Sequence, residues 1–151
     1  MNNNYKLTIS YNGSKYAGWQ QQKNAVTVQE KIINTIEILL KEKVNLIGAG
    51  RTDTGVNAIG QVANFRTDNI IENVNKFRYS LNSLLPNDIA IKNIEIVDNN
   101  FHSRFDAKSR SYIYLFLTEK DPFYNNFAYY YPKISEYSIE ELNNISRALI
   151  G

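Results

Sequence analysis

Cysteine is absent from the 151 residues, and histidine occurs once, as His102. These absences remove disulfide scaffolds, thiolate nucleophiles and any single-chain Cys/His zinc site, including the zinc centre of nucleobase deaminases. Long apolar runs are missing as well: no window approaches the roughly 18 residues needed to span a bilayer. The opening Met1-Asn2-Asn3-Asn4 has no signal-peptide pattern, so a cytoplasmic protein without membrane association is expected. Net charge is only +2, too small by itself to argue for a nucleic-acid partner. His102, Arg104, Lys108 and Arg110 nevertheless fall in one short stretch; on charge alone that cluster reads equally well as a solvated strand face. With 43% hydrophobic and 21% charged residues, the chain has a globular composition. It is long enough for one domain, or for one domain and the start of a second.

Tyr5, Leu7, Ile9 and Tyr11 alternate with polar neighbours and predict a half-buried strand. A polar loop follows from Asn12 to Asn24. Thr27 and Glu30 then form a capping-box pattern ahead of a helical stripe of Val28, Ile32, Ile36, Leu39 and Leu40. Strands are predicted near Val44 to Ala49 and from Gln61 to Arg66. Asn69 with Glu72 suggests the start of a second helix carrying Ile70, Val74, Phe77, Leu81, Leu84 and Leu85, ended by Pro86-Asn87-Asp88. Ile89 and Ile91 alternate, then Ile94 and Ile96 alternate one register later, which predicts a bulge near Lys92-Asn93.

The order β-α-β-β-α-β is the ferredoxin-like, α+β arrangement: one antiparallel sheet with both helices on one face. This domain is expected over 1–100. Residues 101–151 would be the strand pair Phe101 to Ala107 and Arg110 to Thr118 plus the first helix of an incomplete second domain. Tyr112 to Leu117 is apolar throughout, so that strand is expected to be covered on both faces. A last capped helix opens at Ser138 and Glu141, with Ile139, Leu142, Ile145 and Leu149 on one stripe. It stops with no partner element after it, which suggests truncation.

Gly48-Ala49-Gly50-Arg51-Thr52-Asp53-Thr54-Gly55 is the most informative segment. Its glycines permit tight turning and close approach of a ligand to the main chain. Arg51 beside Asp53 offers a cation that would hold the carboxylate ionised, the form a nucleophile or general base needs. A surface ion pair in a turn is the plainer alternative. A phosphate cradle fails, because G-x-G-x-x-G requires glycine where Asp53 stands and the P-loop requires a lysine that is missing. Asp53-Thr54-Gly55 also spells the aspartic-protease triplet, but that enzyme needs a second aspartate and a nearly all-β fold.

The stretch Gly50-Arg51-Thr52-Asp53-Thr54-Gly55-Val56-Asn57-Ala58, followed by Gly60-Gln61-Val62-Ala63-Asn64-Phe65, closely resembles the signature of the tRNA pseudouridine synthase A family. Tyr11-Asn12-Gly13 and Tyr16-Ala17-Gly18-Trp19-Gln20-Gln21-Gln22 are similar to its first-strand exit loop. Val28-Gln29 resembles the start of its first helix, and Leu84, Pro86, Asp88 and Ile89 the end of its second. Phe101 to Ala107 with Arg110-Ser111-Tyr112-Ile113-Tyr114 resembles its arginine- and tyrosine-rich strand pair.

The resemblance implies conversion of uridine to pseudouridine at positions 38 to 40 of the tRNA anticodon stem-loop, with no cofactor or metal. It makes Asp53 the catalytic carboxylate, Arg51 its partner in holding an everted nucleotide, and Tyr112 the ring that stacks on the uracil. Arg104, Lys108 and Arg110 become candidate phosphate contacts, and Gln20 and Gln21 candidate RNA contacts from the first loop. It further implies a homodimer when full length, and a continuation past Gly151 into a Gly-x-His-Asp-Phe segment and a second half. The chain alone is therefore expected to have little activity. Asn57 stands where many members carry histidine, which loses titration near neutral pH and keeps hydrogen bonding. The competing classes are an assembly piece and a non-catalytic RNA-binding module on the same fold; against the latter, the central strands of this chain lack the glycine and aromatic RNP1 pattern.

Overall fold

The computed structural model describes residues 3–150. The chain divides into two compact units, Met1–Ser109 and Arg110–Gly151. No helix among the described residues is long and apolar enough to cross a membrane.

The first unit contains β1 (Asn3–Tyr11), α1 (Val28–Leu40), β2 (Leu46–Gly48), β3 (Ala58–Thr67), α2 (Val74–Leu84) and β4 (Ile89–Val97). The four strands form one sheet in the order β2-β3-β1-β4, every neighbouring pair antiparallel. This is the α+β, ferredoxin-like topology that the sequence pattern predicts. Alternation along β1 decides the faces: Tyr5, Leu7, Ile9 and Tyr11 are buried in a cluster with Val28, Ile32 and Ile36 of α1 and Leu81 of α2. Both helices therefore cover one face. Each large apolar side chain so buried contributes about 1.5–3 kcal/mol.

The opposite face is polar. Lys6 bridges to Glu95 at 2.7 Å, and Asn64 Nδ2 donates to Asn4 Oδ1 at 2.9 Å. The bulge falls where the slip in apolar register places it: Thr8 pairs with Asn93 and Ile9 with Ile91, leaving Lys92 as the extra residue. α2 also closes the outer edge of β4 there. Asn82 accepts from Ile91 N at 2.7 Å and donates to Ile91 O at 2.9 Å, while Arg78 donates to Lys92 O at 2.7 Å.

Two boundaries differ from expectation. α2 starts after Asn73, whose side chain accepts from Lys76 N, not after Asn69. The Asn69 side chain is committed to Glu42 Oε2, and Ile71 N donates to the Tyr5 hydroxyl, so long-range bonds hold 69–71 outside the helix. Phe101 to Ala107 is not a strand but a series of turns in the first unit. Asn4 Nδ2 donates to Asp98 O and Phe101 O, and Ser103 N donates to Asn64 Oδ1, which folds the segment onto the polar face.

The second unit corrects a further expectation. Arg110 to Thr118 forms no continuous strand: only β5 (Phe116–Leu117) pairs, in parallel, with β6 (Tyr129–Tyr130). Tyr112 to Phe116 is exposed, not covered on both faces. Two residues of parallel pairing give the run no second layer to pack on. α3 (Ile139–Ser146) has the predicted capping box between Ser138 and Glu141, and its Ile139 and Ile145 are exposed.

Candidate active site

The loop joining β2 to β3 carries Arg51 and Asp53, and its shape is fixed by backbone chemistry. Val56 N donates to Asp53 O at 3.2 Å, and Gly55 has φ +80° while Thr54 does not enter positive φ. These values define a type II turn with Asp53 at its first position, and they explain the glycine at its third position. Asp53 is exposed, and no hydrogen bond or ion pair among the described residues engages its carboxylate. The expected Arg51–Asp53 ion pair is not made; both side chains face water, where such a pair is worth only about 0–1 kcal/mol.

The turn is braced by the loop that leaves β1. Ahead of Asp53, the Tyr11 hydroxyl and Thr52 Oγ1 share a 2.8 Å hydrogen bond, and Trp19 N donates to Thr52 O at 3.0 Å. Behind it, Gly55 N donates to Tyr16 O at 3.3 Å and Gly13 N to Asn57 Oδ1 at 2.8 Å. Gln61 Nε2 donates to Gly50 O at 2.6 Å.

Close approach demands glycine on the bracing side. A Cβ on Gly18, which already has φ +84°, would lie 2.4 Å from Thr52 O, and one on Gly13 would lie 2.0 Å from Val56 O. A Cβ on Gly48 would strike the buried Trp19 indole at 2.6 Å.

The bracing loop is itself anchored. Tyr16 is buried, and its hydroxyl donates to Asp88 Oδ1 at 2.5 Å. Burial first, and the Asp88 carboxylate second, push the Tyr16 pKa well above the ordinary phenol value. Burial likewise raises that of Tyr11, partly offset by the Thr52 hydrogen bond. Both hydroxyls keep their protons and hence their bonds at neutral pH. The first amides of α1 are satisfied by the same loop, Val28 N by Gly18 O and Gln29 N by Trp19 O. The buried Gln29 carboxamide links Gln21 N, at 2.7 Å, to Leu46 O of β2, also at 2.7 Å. In the sequence Gln29 stands out only through the family resemblance of Val28-Gln29, and its bracing role had no local signal.

Arg51, Asp53, Gln20 and Gln21 thus lie at one end of the sheet, all exposed. Arg104 and Lys108 are exposed on the segment after β4. There His102 N donates to Asp106 Oδ2 at 2.7 Å, and the His102 and Phe105 rings lie 4.2 Å apart. Arg110 and Tyr112 belong to the second unit, where Tyr112 is 72% exposed.

The tRNA pseudouridine synthase family profile matches residues 7–106, from β1 to the turns after β4. Over 119 residues the chain is 52% identical to tRNA pseudouridine synthase A of Acetivibrio thermocellus, covering 79% of this chain and 48% of that relative. It is 54% identical over 110 residues to the protein of that name from Ruminiclostridium cellulolyticum, covering 73% and 44%. With the one from Thermoanaerobacter sp. (strain X514) it shares 44% identity over 152 residues, 98% of this chain and 60% of the relative. The chain spans about half the length of the curated relatives it matches. Since the matched region takes in the four-stranded sheet from Leu7 onward together with the Asp53 turn and its brace, the chain belongs to the tRNA pseudouridine synthase family.

Proposed function

We propose that this chain is the Asp53-bearing half of an enzyme that isomerises uridine to pseudouridine at positions 38 to 40 of the tRNA anticodon stem-loop. The observation that carries the reading is the Asp53 carboxylate: exposed, unengaged by protein groups among the described residues, and set on a turn braced on both sides. A reacting group needs this combination of a free functional end and an immobile base. The reaction breaks the bond from N1 to C1′, turns the uracil and joins C5 to C1′; C5 gives up its proton and N1 gains one, so no cofactor is consumed. Asp53 serves as nucleophile or base at the ribose or the uracil, each of which needs an ionised carboxylate close to C1′.

A stacked uridine is out of reach, so the target is everted before it reacts. Arg51 helps to hold that state, and Tyr112 stacks on the uracil, a contact worth about 1–3 kcal/mol per base. Arg104, Lys108 and Arg110 neutralise phosphates, with Gln20 and Gln21 reaching the RNA from the bracing loop. The whole protein acts in the cytoplasm as a homodimer. A bare RNA-binding module of this topology stacks bases on aromatics of its open sheet face. Here that face carries Lys6, Thr8 and Glu95, with Asn64 covered by the segment after β4, which favours the enzymatic reading.

Asp53→Asn in the full-length protein is expected to lower pseudouridine formation in a tRNA transcript by roughly 10²–10⁴-fold while tRNA binding persists. Unchanged turnover would overturn the assignment. Residues 1–151 alone are expected to convert little or no uridine.

A further inference from the structure

We infer that Asn57 is a positioning residue for the Asp53 turn, acting through its side-chain oxygen as a fixed hydrogen-bond acceptor. This rests on the reading of Asp53 as the reacting carboxylate. The limb before Asp53 is held twice through Thr52, by the Tyr11 hydroxyl at 2.8 Å and Trp19 N at 3.0 Å. The limb after it has a weaker backbone link, Gly55 N to Tyr16 O at 3.3 Å. Its short bond is the one from Gly13 N to Asn57 Oδ1, at 2.8 Å.

Gly13 is buried and packs so closely that a Cβ on it would meet Val56 O. Asn57 itself is exposed, so water can reach the amide once the acceptor is removed, and the tie is worth an ordinary net hydrogen bond of about 0.5–1.5 kcal/mol. The carboxamide of Asn57 does not titrate, so the tie holds at every physiological pH. Releasing it frees the C-terminal limb of a turn whose first residue is Asp53. The expected result is a displaced carboxylate, not a lost RNA contact.

Two measurements test this. In the 151-residue chain, amide exchange at Gly13, corrected for intrinsic pH dependence, is expected to speed up roughly three- to tenfold in Asn57→Ala. Asn57→His restores protection at about pH 8, where neutral imidazole offers an acceptor nitrogen, and loses it at about pH 5, where both nitrogens are donors. In the full-length protein, Asn57→Ala lowers kcat by up to roughly a hundredfold with KM for tRNA little changed, and Asn57→His recovers kcat on the alkaline side only.

Unaltered Gly13 exchange in Asn57→Ala, or no recovery of protection with histidine at the higher pH, overturns the acceptor role. Turnover lost with Asp53→Asn but kept with Asn57→Ala overturns the positioning role. Turnover kept with both sinks the enzymatic reading instead, and Gly13 exchange then still decides whether Asn57 holds the turn.

Discussion

Tyr5 and Tyr114 both lie in strand-like sequence, and they end in opposite environments, 1% and 82% exposed. Tyr5 has a neighbouring strand on each side, a ring from Phe65 stacked at 5.5 Å, and a hydroxyl that accepts from Ile71 N at 3.0 Å. Tyr114 precedes a pair of two-residue strands, and nothing in its own unit covers it. Apolar and aromatic content is high in both places. What separates them is the supply of facing surface: β1 has two helices and two strands to pack on, whereas the second unit offers α3 and a fragment of parallel pairing. A strand-forming sequence becomes a strand where partners exist to reward it.

Denaturation in urea would break this contrast if it is wrong. Leu7→Ala, in the middle of the buried row of β1, is expected to cost roughly 2–5 kcal/mol. Tyr114→Ala should stay within about 0.5 kcal/mol. Equal costs would mean that the second unit has a core of its own.

A smaller effect sharpens the picture within the first unit. Gly18→Ala forces a side chain into positive φ against Thr52 O, and its expected cost is roughly 1–3 kcal/mol. Gly60→Ala meets open space and should shift stability by less than about 1 kcal/mol. Similar urea midpoints for the two variants would show that the brace is slack.

The smallest effect concerns pH. Because the folded Tyr16 pKa is raised, the unfolded chain releases this proton first. Stability from this group is complete below the ordinary tyrosine value of about 10 and declines above it. Urea midpoints taken between about pH 8 and 11 should fall less steeply in Tyr16→Phe than in the parent. Parallel curves would mean that Tyr16 ionises as freely in the fold as outside it.

Much of the first unit could be read from local pattern, because local pattern and tertiary burial agree there. The alternation of 5–11, the Thr27 cap and the isoleucine slip around Lys92 each became what they suggest. Asn69 misled because its side chain is used at long range, where no window of neighbouring residues can see it. The same holds for 101–107, which Asn4 and Asn64 draw onto the sheet face across more than thirty residues of sequence. Tyr112 to Leu117 misled for the opposite reason: its composition asks for burial that its own unit does not provide.

At the site, the glycine-lined bend and its aspartate stood out in the sequence. The brace did not, since Gly13, Tyr16, Gly18 and Trp19 act on the bend from another loop. The resemblance to a family names both segments, and the contact between them comes from the fold. Arg51 and Asp53 stand two positions apart in the sequence, and among the described residues they form no ion pair.

One consequence lies at the far rim of the sheet. By meeting both the amide hydrogen and the carbonyl of Ile91, the single carboxamide of Asn82 stands in for an absent neighbour strand. The kink at Lys92 interrupts the line on the same side. A foreign chain seeking to zip onto that margin finds its Ile91 rung already taken, one of the ways in which a sheet edge is made a poor template for pairing.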